Sequence, residues 1–191
     1  LEIVSGTIPQ EIFSMTNLRY LYLSSNEYTG AIPSDIGKLV NLRGLSFYDN
    51  NFSEVPPELW TLTNLTYLNL GFNDFSGPIP SEIGQLINMT TLYLYYNQFS
   101  SIPKELWSLS NMINIDLSGN NISGTIPSGI ENFTNLTNLS IWGNTLSGEL
   151  PPELYNLVNL SFLNLSRNEF IGTIHPSIGN LVNLTYLYLY Q

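Results

Sequence analysis

In the stretch Leu65-Thr66-Tyr67-Leu68-Asn69-Leu70-Gly71-Phe72-Asn73-Asp74-Phe75-Ser76-Gly77-Pro78-Ile79-Pro80-Ser81-Glu82-Ile83-Gly84, apolar residues stand at 65, 68 and 70. An Asn follows at 73, a Phe at 75 and a Gly-x-Ile-Pro run at 77–80. The Leu68-Asn69-Leu70 step has period two, which is the side-chain period of a strand. One strand this short cannot bury its apolar side alone. It needs neighbours built the same way, so the chain must be searched for copies of itself.

The copies are present. The leading apolar residue recurs at Leu18, Leu42, Leu65, Met89, Met112, Leu136, Leu160 and Leu184, at spacings of 23 or 24 residues. Methionine fills a leucine place without branching. Each unit repeats the two apolar positions that follow, as in Leu21 with Leu23, Leu92 with Leu94 and Leu163 with Leu165. Stacked units would pair their strands in parallel around one continuous core. Eight strands about 4.8 Å apart would span roughly 34 Å.

The remaining recurrent slots of the unit have physical reasons. Asn26, Asn50, Asn73, Asn97, Asn120, Asn144 and Asn168 follow the strand, where the backbone turns inward. An amide side chain supplies both donor and acceptor to such a turn, and an unpaired buried backbone group is costly. A second row, Asn17, Asn41, Asn64, Asn88, Asn111, Asn135, Asn159 and Asn183, is expected to satisfy turns in the same way. Tyr28, Phe52, Phe75, Phe99, Ile122, Leu146 and Phe170 should form an internal spine. Gly-x-Ile-Pro shortens by one residue at Ser53–Pro56 and Ser100–Pro103, and the deletion falls in a loop. After Pro, the acidic row Glu11, Asp35, Glu58, Glu82, Glu105 and Glu153 opens a short 3₁₀ or helical turn, with Ser34 and Ser81 as possible caps.

This unit resembles the plant extracellular leucine-rich repeat, as found in receptor-like kinases, receptor-like proteins and polygalacturonase-inhibiting proteins. The resemblance runs through essentially the whole chain. It implies a leucine-rich repeat solenoid: a right-handed superhelix with a parallel inner β-sheet and short 3₁₀ or helical turns outside. It also implies an inner strand face that recognises peptides, hormones or co-receptors, in an extracellular or cell-surface protein that is part of a longer, membrane-anchored chain. Family members usually carry cysteine-containing caps. The chain has no cysteine, so residues 1–191 read as a single array excised from a longer protein.

The net charge of -10 and five scattered basic residues argue against nucleic acid, which needs a basic stripe to neutralise phosphates. No apolar run is long enough to span a membrane. One His and no Cys leave no familiar metal cluster, and His175, standing where other units have Pro, has no matching ligands. No phosphate loop or nucleophile motif occurs. Asp49 and Asp116 lie three coils apart, about 14 Å, too far to share one glycosidic bond. Neither a catalytic role nor a cofactor is expected.

Side chains flanking the strand leucines should face solvent on the inner side. That set includes Tyr20, Tyr22, Gly44, Ser46, Tyr48, Asp49, Gly71, Ser118, Asn138, Ser140, Phe162, Ser166, Tyr186, Tyr188, Tyr190 and Gln191. From it, Tyr67, Asn69, Phe72, Tyr93, Tyr95, Tyr96, Asp116, Trp142 and Arg167 are the candidate ligand-binding residues. Tyr and Trp combine rigid apolar area with a polar group, which suits an interface. An extended peptide or a protein, with a possible co-receptor, is the expected partner. The competing reading is that the rings only cover one another. Asn-x-Ser/Thr triplets make Asn51, Asn64, Asn88, Asn121, Asn132, Asn135 and Asn159 glycosylation candidates. Asn138 and Asn164 carry the triplet on the inner face, where a glycan would obstruct binding. A plant receptor segment is the leading functional expectation. A secreted inhibitor of a cell-wall-degrading enzyme and a structural or ice-binding repeat protein remain as alternatives.

Overall fold

A computed structural model describes residues 3–190; Gln191 of the expected inner face lies outside them. Every unit contributes one short inner strand: Tyr20–Tyr22, Gly44–Ser46, Tyr67–Asn69, Thr91–Tyr93, Asn114–Asp116, Asn138–Ser140, Phe162–Asn164 and Tyr186–Tyr188. They form one eight-stranded parallel sheet in chain order. Its central register pairs Leu45 with Leu68, Leu68 with Leu92 and Leu92 with Ile115, so the same slot of each unit stacks on the next. Leu68, Leu70, Leu92 and Leu94 are completely buried. The chain is therefore the solenoid that the period-two step and the repeat spacing imply.

The Asn ladder is more fully bonded than a lone turn would need. The Asn97 side-chain amide donates to the Leu94 carbonyl of its own turn at 3.1 Å and to the Leu70 carbonyl of the preceding coil at 2.9 Å. Its Oδ1 accepts the Phe75 backbone N–H, also in the preceding coil, at 3.0 Å. Asn50, Asn73, Asn120, Asn144 and Asn168 repeat this pattern. Each amide thus closes its own turn and ties it to the coil before. The second Asn row plays a lighter part: Asn41, Asn64, Asn88, Asn111, Asn159 and Asn183 are solvent-exposed and each donates one bond to a carbonyl of the preceding coil.

The aromatic spine stacks as expected. Tyr28, Phe52, Phe75 and Phe99 lie nearly parallel at successive centroid spacings of 6.0, 6.5 and 6.2 Å. Such spacing exceeds the separation of strands in the sheet (about 4.8 Å), so the coils fan apart where the rings fill the interior.

The outer side holds eight 3₁₀ turns among the described residues, from Gln10–Ser14 to Pro176–Asn180. Ser34 and Ser81 do not cap them. The preceding Pro33 and Pro80 occupy the cap position, and neither turn has a side-chain cap bond. A proline here arrives with its φ already fixed near the value required, so no hydroxyl cap is needed. His175, where other units place Pro, does cap: its Nδ1 accepts the Ser177 N–H at 3.1 Å, and its ring stacks on Tyr155. Neighbouring turns approach closely at two glycines. A Cβ on Gly37 or Gly84 would fall 2.9 or 2.8 Å from the Cβ of Glu58 or Glu105 in the next turn.

A second family of strands was not expected. Segments such as Glu27–Ala31, Asn51–Glu54 and Thr145–Gly148 pair in parallel on another flank. Among the described residues they make three separate small sheets. One sheet ends at Asn51–Glu54 and another at Gln98–Phe99. Those are the two units with a shortened loop, so a one-residue deletion that is harmless to the inner sheet interrupts this outer pairing. A bulge between Gly30 and Ala31 absorbs the first offset.

Candidate ligand-recognition face

The sheet turns alternate side chains away from the core, and on this surface aromatic rings form a continuous band. It passes from Tyr20 to Tyr22, Tyr67, Tyr93 and Tyr95 with successive centroid distances of 6.2, 6.1, 6.0 and 6.0 Å. Tyr95 then meets Tyr48 at 6.0 Å and Phe72 at 5.6 Å. Phe72 lies 4.3 Å from Tyr96, which meets Trp142 at 5.8 Å, and the Arg167 guanidinium sits over that indole at 5.8 Å. A separate group joins Phe162 to Tyr186 and Tyr188, and Tyr188 to Tyr190. Most contacts are tilted or edge-on, the arrangement that ring quadrupoles favour.

Three glycines make room for this band. An added Cβ at Gly44 would fall within 3 Å of both Tyr20 and Tyr22. One at Gly71 would meet the Tyr95 ring at 2.9 Å, and one at Gly119 the Tyr96 ring at 2.9 Å. Sequence spacing alone marked these positions only as exposed. The signal that could have identified them is a glycine one coil away from a tyrosine at the same edge of the strand.

The backbone slot just before the ladder Asn is left-handed in every coil from Ser25 to Arg167. Glycine fills it at Gly119 and Gly143, but Ser25, Asp49, Phe72, Tyr96 and Arg167 also hold φ between +50° and +59°. Left-handed backbone costs a residue with a Cβ about 1–2 kcal/mol. It is uncommon for a bulky aromatic. Phe72 and Tyr96 are nevertheless 41% and 42% exposed. The repeat thus holds this slot left-handed whatever residue fills it, and at Phe72 and Tyr96 it presents two touching rings to solvent.

The structure corrects the exposure of several inner-face positions. Asn69 is 7% exposed and buried beneath the band. Its Oδ1 accepts the Gly71 N–H at 2.9 Å and its amide donates to the Tyr67 hydroxyl at 3.3 Å. It holds the turn and a ring in place instead of meeting solvent. Gly44, Gly71, Ser46, Ser118, Ser140 and Ser166 are also covered. The Ser118 and Ser140 hydroxyls bond to one another at 2.7 Å, as do those of Ser24 and Ser46. Ser166 would find its partner one coil on, but Tyr188 stands there. Its hydroxyl is left without a partner among the described residues. Tyr67, Tyr93, Tyr95, Trp142 and Asp116 are half-buried, whereas Phe72, Tyr96 and Arg167 are exposed.

Burial pushes the Tyr22, Tyr93 and Tyr95 hydroxyls above their ordinary pKa, with neighbouring tyrosines adding to the effect and Asp116 raising both Tyr93 and Tyr95. These phenols remain neutral donors at physiological pH. Burial also raises Asp116, although hydrogen bonds from Ser118 act in the opposite direction.

The glycosylation candidates divide by environment. Asn51 and Asn121 are exposed, with no side-chain hydrogen bond among the described residues. Asn64, Asn88, Asn135 and Asn159 donate to the preceding coil, and Asn132 donates to the Trp107 carbonyl. Asn88, Asn135 and Asn159 line a shallow depression with Thr90 and Thr137 on the lateral flank, away from the aromatic band. Among the described residues there is no group of three or more His, Cys, Asp or Glu placed to hold a metal ion. No helix there is long and apolar enough to cross a membrane.

The family model described as "Leucine-rich repeat region" matches residues 58–191, and the model "Leucine rich repeat" matches residues 16–75. A search of curated proteins returned no match. Among solved structures, the plant peptide hormone receptor RGFR1 in complex with RGF2 is 37% identical with a TM-score of 0.94; the match covers 98% of this chain and 30% of that one. The Arabidopsis receptor kinase HAESA, in complex with the peptide hormone IDA and the co-receptor SERK1, is 35% identical with a TM-score of 0.91; the match covers 100% of this chain and 34% of that one. This chain therefore spans about a third of the length of either receptor. A plant ice-binding protein, 24% identical with a TM-score of 0.66 over 97% of this chain and 77% of that one, shares the fold.

Proposed function

The chain belongs to the leucine-rich repeat family, and from that premise we propose that it is a ligand-recognition segment of a plant cell-surface receptor, holding an extended peptide along its aromatic band. The observation that carries this reading is the exposed Phe72–Tyr96 pair, held in strained left-handed backbone at the centre of a continuous row of rings. Rings that served only to shield the strands would be covered by their neighbours, whereas Phe72 and Tyr96 both remain open to solvent. RGFR1 is a plant peptide hormone receptor whose structure contains RGF2, and the HAESA structure contains the peptide hormone IDA and the co-receptor SERK1. That supports a peptide lying on this face, with a co-receptor closing over it, on the extracellular side of a longer membrane-anchored protein.

The ice-binding alternative is less well supported. It would use a regular row of free hydroxyls, but those of Thr66, Thr90 and Thr137 donate to carbonyls of the preceding coil. Panning a random peptide display library on the chain and on the variant Tyr93→Ala/Tyr95→Ala/Tyr96→Ala tests the proposal. Peptides retained by the parent should bind the variant at least tenfold more weakly, with the thermal midpoint shifted by only a few degrees. Equal retention by both would remove the aromatic band as the binding surface.

A further inference from the structure

Asn69, Asp116 and Asn164 occupy the same slot in three coils, at the end of the inner strand. All three perform the same local task. Oδ1 of Asn69 accepts the Gly71 N–H at 2.9 Å, that of Asp116 accepts the Ser118 N–H at 2.9 Å, and that of Asn164 accepts the Ser166 N–H at 3.1 Å. A neutral amide therefore suffices for this turn. The negative charge at Asp116 is surplus to the fold, and burial makes it unfavourable.

The surroundings of that charge point to a ligand. Asp116 lines an open concavity with Tyr93, Tyr95, Asn138, Ser140 and Phe162. No basic side chain pairs with it: the ion pairs among the described residues are Lys38–Asp35 and Lys104–Glu105. An unpaired, half-buried carboxylate in a concavity lined by aromatic side chains is a receptor for an organic cation. The carboxylate supplies charge-assisted hydrogen bonds, and the rings supply cation–π attraction. The overall charge of -10 would favour approach of such a group.

We infer that the concavity around Asp116 is a subsite for a cationic side chain, arginine or lysine, of the bound peptide. This rests on reading the inner-strand face as a peptide site. Asp116 would take the guanidinium or ammonium head, Tyr93, Tyr95 and Phe162 would flank its stem, and the exposed Asn138 would present a polar group at the rim. Guanidinium fits better than ammonium, because its planar fork can engage a carboxylate and a ring face together.

The test uses a probe that does not depend on knowing the natural ligand. Amide resonances of the chain are followed by NMR during titration with N-acetyl-arginine-N-methylamide, and separately with its neutral citrulline analogue. Arginine should shift Asp116, Ser118, Asn138 and Ser140 with millimolar saturation. Citrulline, or arginine added to the Asp116→Asn variant, should bind at least tenfold more weakly. Equal shifts from citrulline, equal shifts in Asp116→Asn, or no shifts from arginine would each overturn the subsite. The peptide-library experiment fails or succeeds separately: peptides held by the aromatic band without enrichment in basic residues would leave the peptide reading standing and remove this one.

Discussion

The Phe72 and Tyr96 rings lie 4.3 Å apart, centroid to centroid, and both residues hold φ near +50°. Two effects oppose each other at each position. The ring gains contact with its neighbours, while the Cβ forces backbone strain that glycine would not feel. Substitution can separate them. Phe72→Ala loses the ring and keeps the strain; Phe72→Gly loses both. The glycine variant should therefore be more stable than the alanine variant by about 1 kcal/mol, against the usual order. Urea denaturation of the pair measures the difference. Peptides selected by the parent chain should lose affinity for both.

Much of this architecture is written in residue type and spacing. Leu68 and Leu92 announce an inward strand side because their neighbours alternate in polarity, and Asn73 and Asn97 announce turns because only an amide both donates and accepts there. The buried state of Asn69 is not written in this way. Strand period places it outward, like Tyr67, and only ring rotamers decide that Tyr67 and Tyr95 lie over it. Glycines 71 and 119 were opaque for the same reason: a missing Cβ matters once a ring from another coil leans on it. The outer strands are not legible in the sequence because Ser-Gly has little strand propensity, and their pairing comes from the stacking of coils.

Asn97 and Asn88 offer a graded test of the two amide rows. Asn97→Ala would leave the buried Phe75 N–H unpaired and would remove one of two amide donors from each of the Leu70 and Leu94 carbonyls, which Asn73 and Asn120 continue to bond. An unsatisfied buried group costs about 1–3 kcal/mol and each lost bond to a still-paired carbonyl about 0.5–1.5 kcal/mol, so a total loss of about 2–5 kcal/mol is expected. Because each coil contacts only its neighbours, such damage at mid-stack should also break the cooperativity of unfolding. Asn88→Ala removes one exposed bond to the Thr63 carbonyl and should cost less than about 1 kcal/mol. Denaturation curves read by circular dichroism would show a broadened transition for the first variant only.

Gly84 and Gly71 should respond differently to the same added methyl. A Cβ at Gly84 would lie 2.8 Å from the Glu105 Cβ and 3.4 Å from the Glu105 carbonyl oxygen. The neighbouring turn would have to move, at about 1–3 kcal/mol. A Cβ at Gly71 would press first on the tip of the Tyr95 ring, a side chain that can shift without moving the backbone. Gly84→Ala should lower the melting midpoint by several degrees with peptide binding intact. Gly71→Ala should do the reverse, keeping the midpoint and weakening binding. Thermal melts beside library-peptide affinities separate the two outcomes.

Asp116 also makes a claim about stability and pH. Burial raises its pKa above the ordinary 3.8, so the folded chain holds this proton more tightly than the unfolded chain does. The proton's contribution to stability is complete below about pH 3.8 and is lost as pH rises through the folded-state value. Above the folded-state value the carboxylate is charged in both states, and only the folded state bears the burial. Asp116→Asn keeps the acceptor for the Ser118 N–H, as Asn69 and Asn164 show, and stays neutral throughout. The variant should therefore be more stable than the parent at pH 7, and the advantage should shrink as pH falls below the raised value toward 3. All other titrations are common to both chains and cancel in the difference. Paired urea titrations from pH 3 to 7 measure it. A flat difference would mean that the carboxylate is as well solvated in the fold as out of it, and would undercut the idea that its charge awaits a cationic partner.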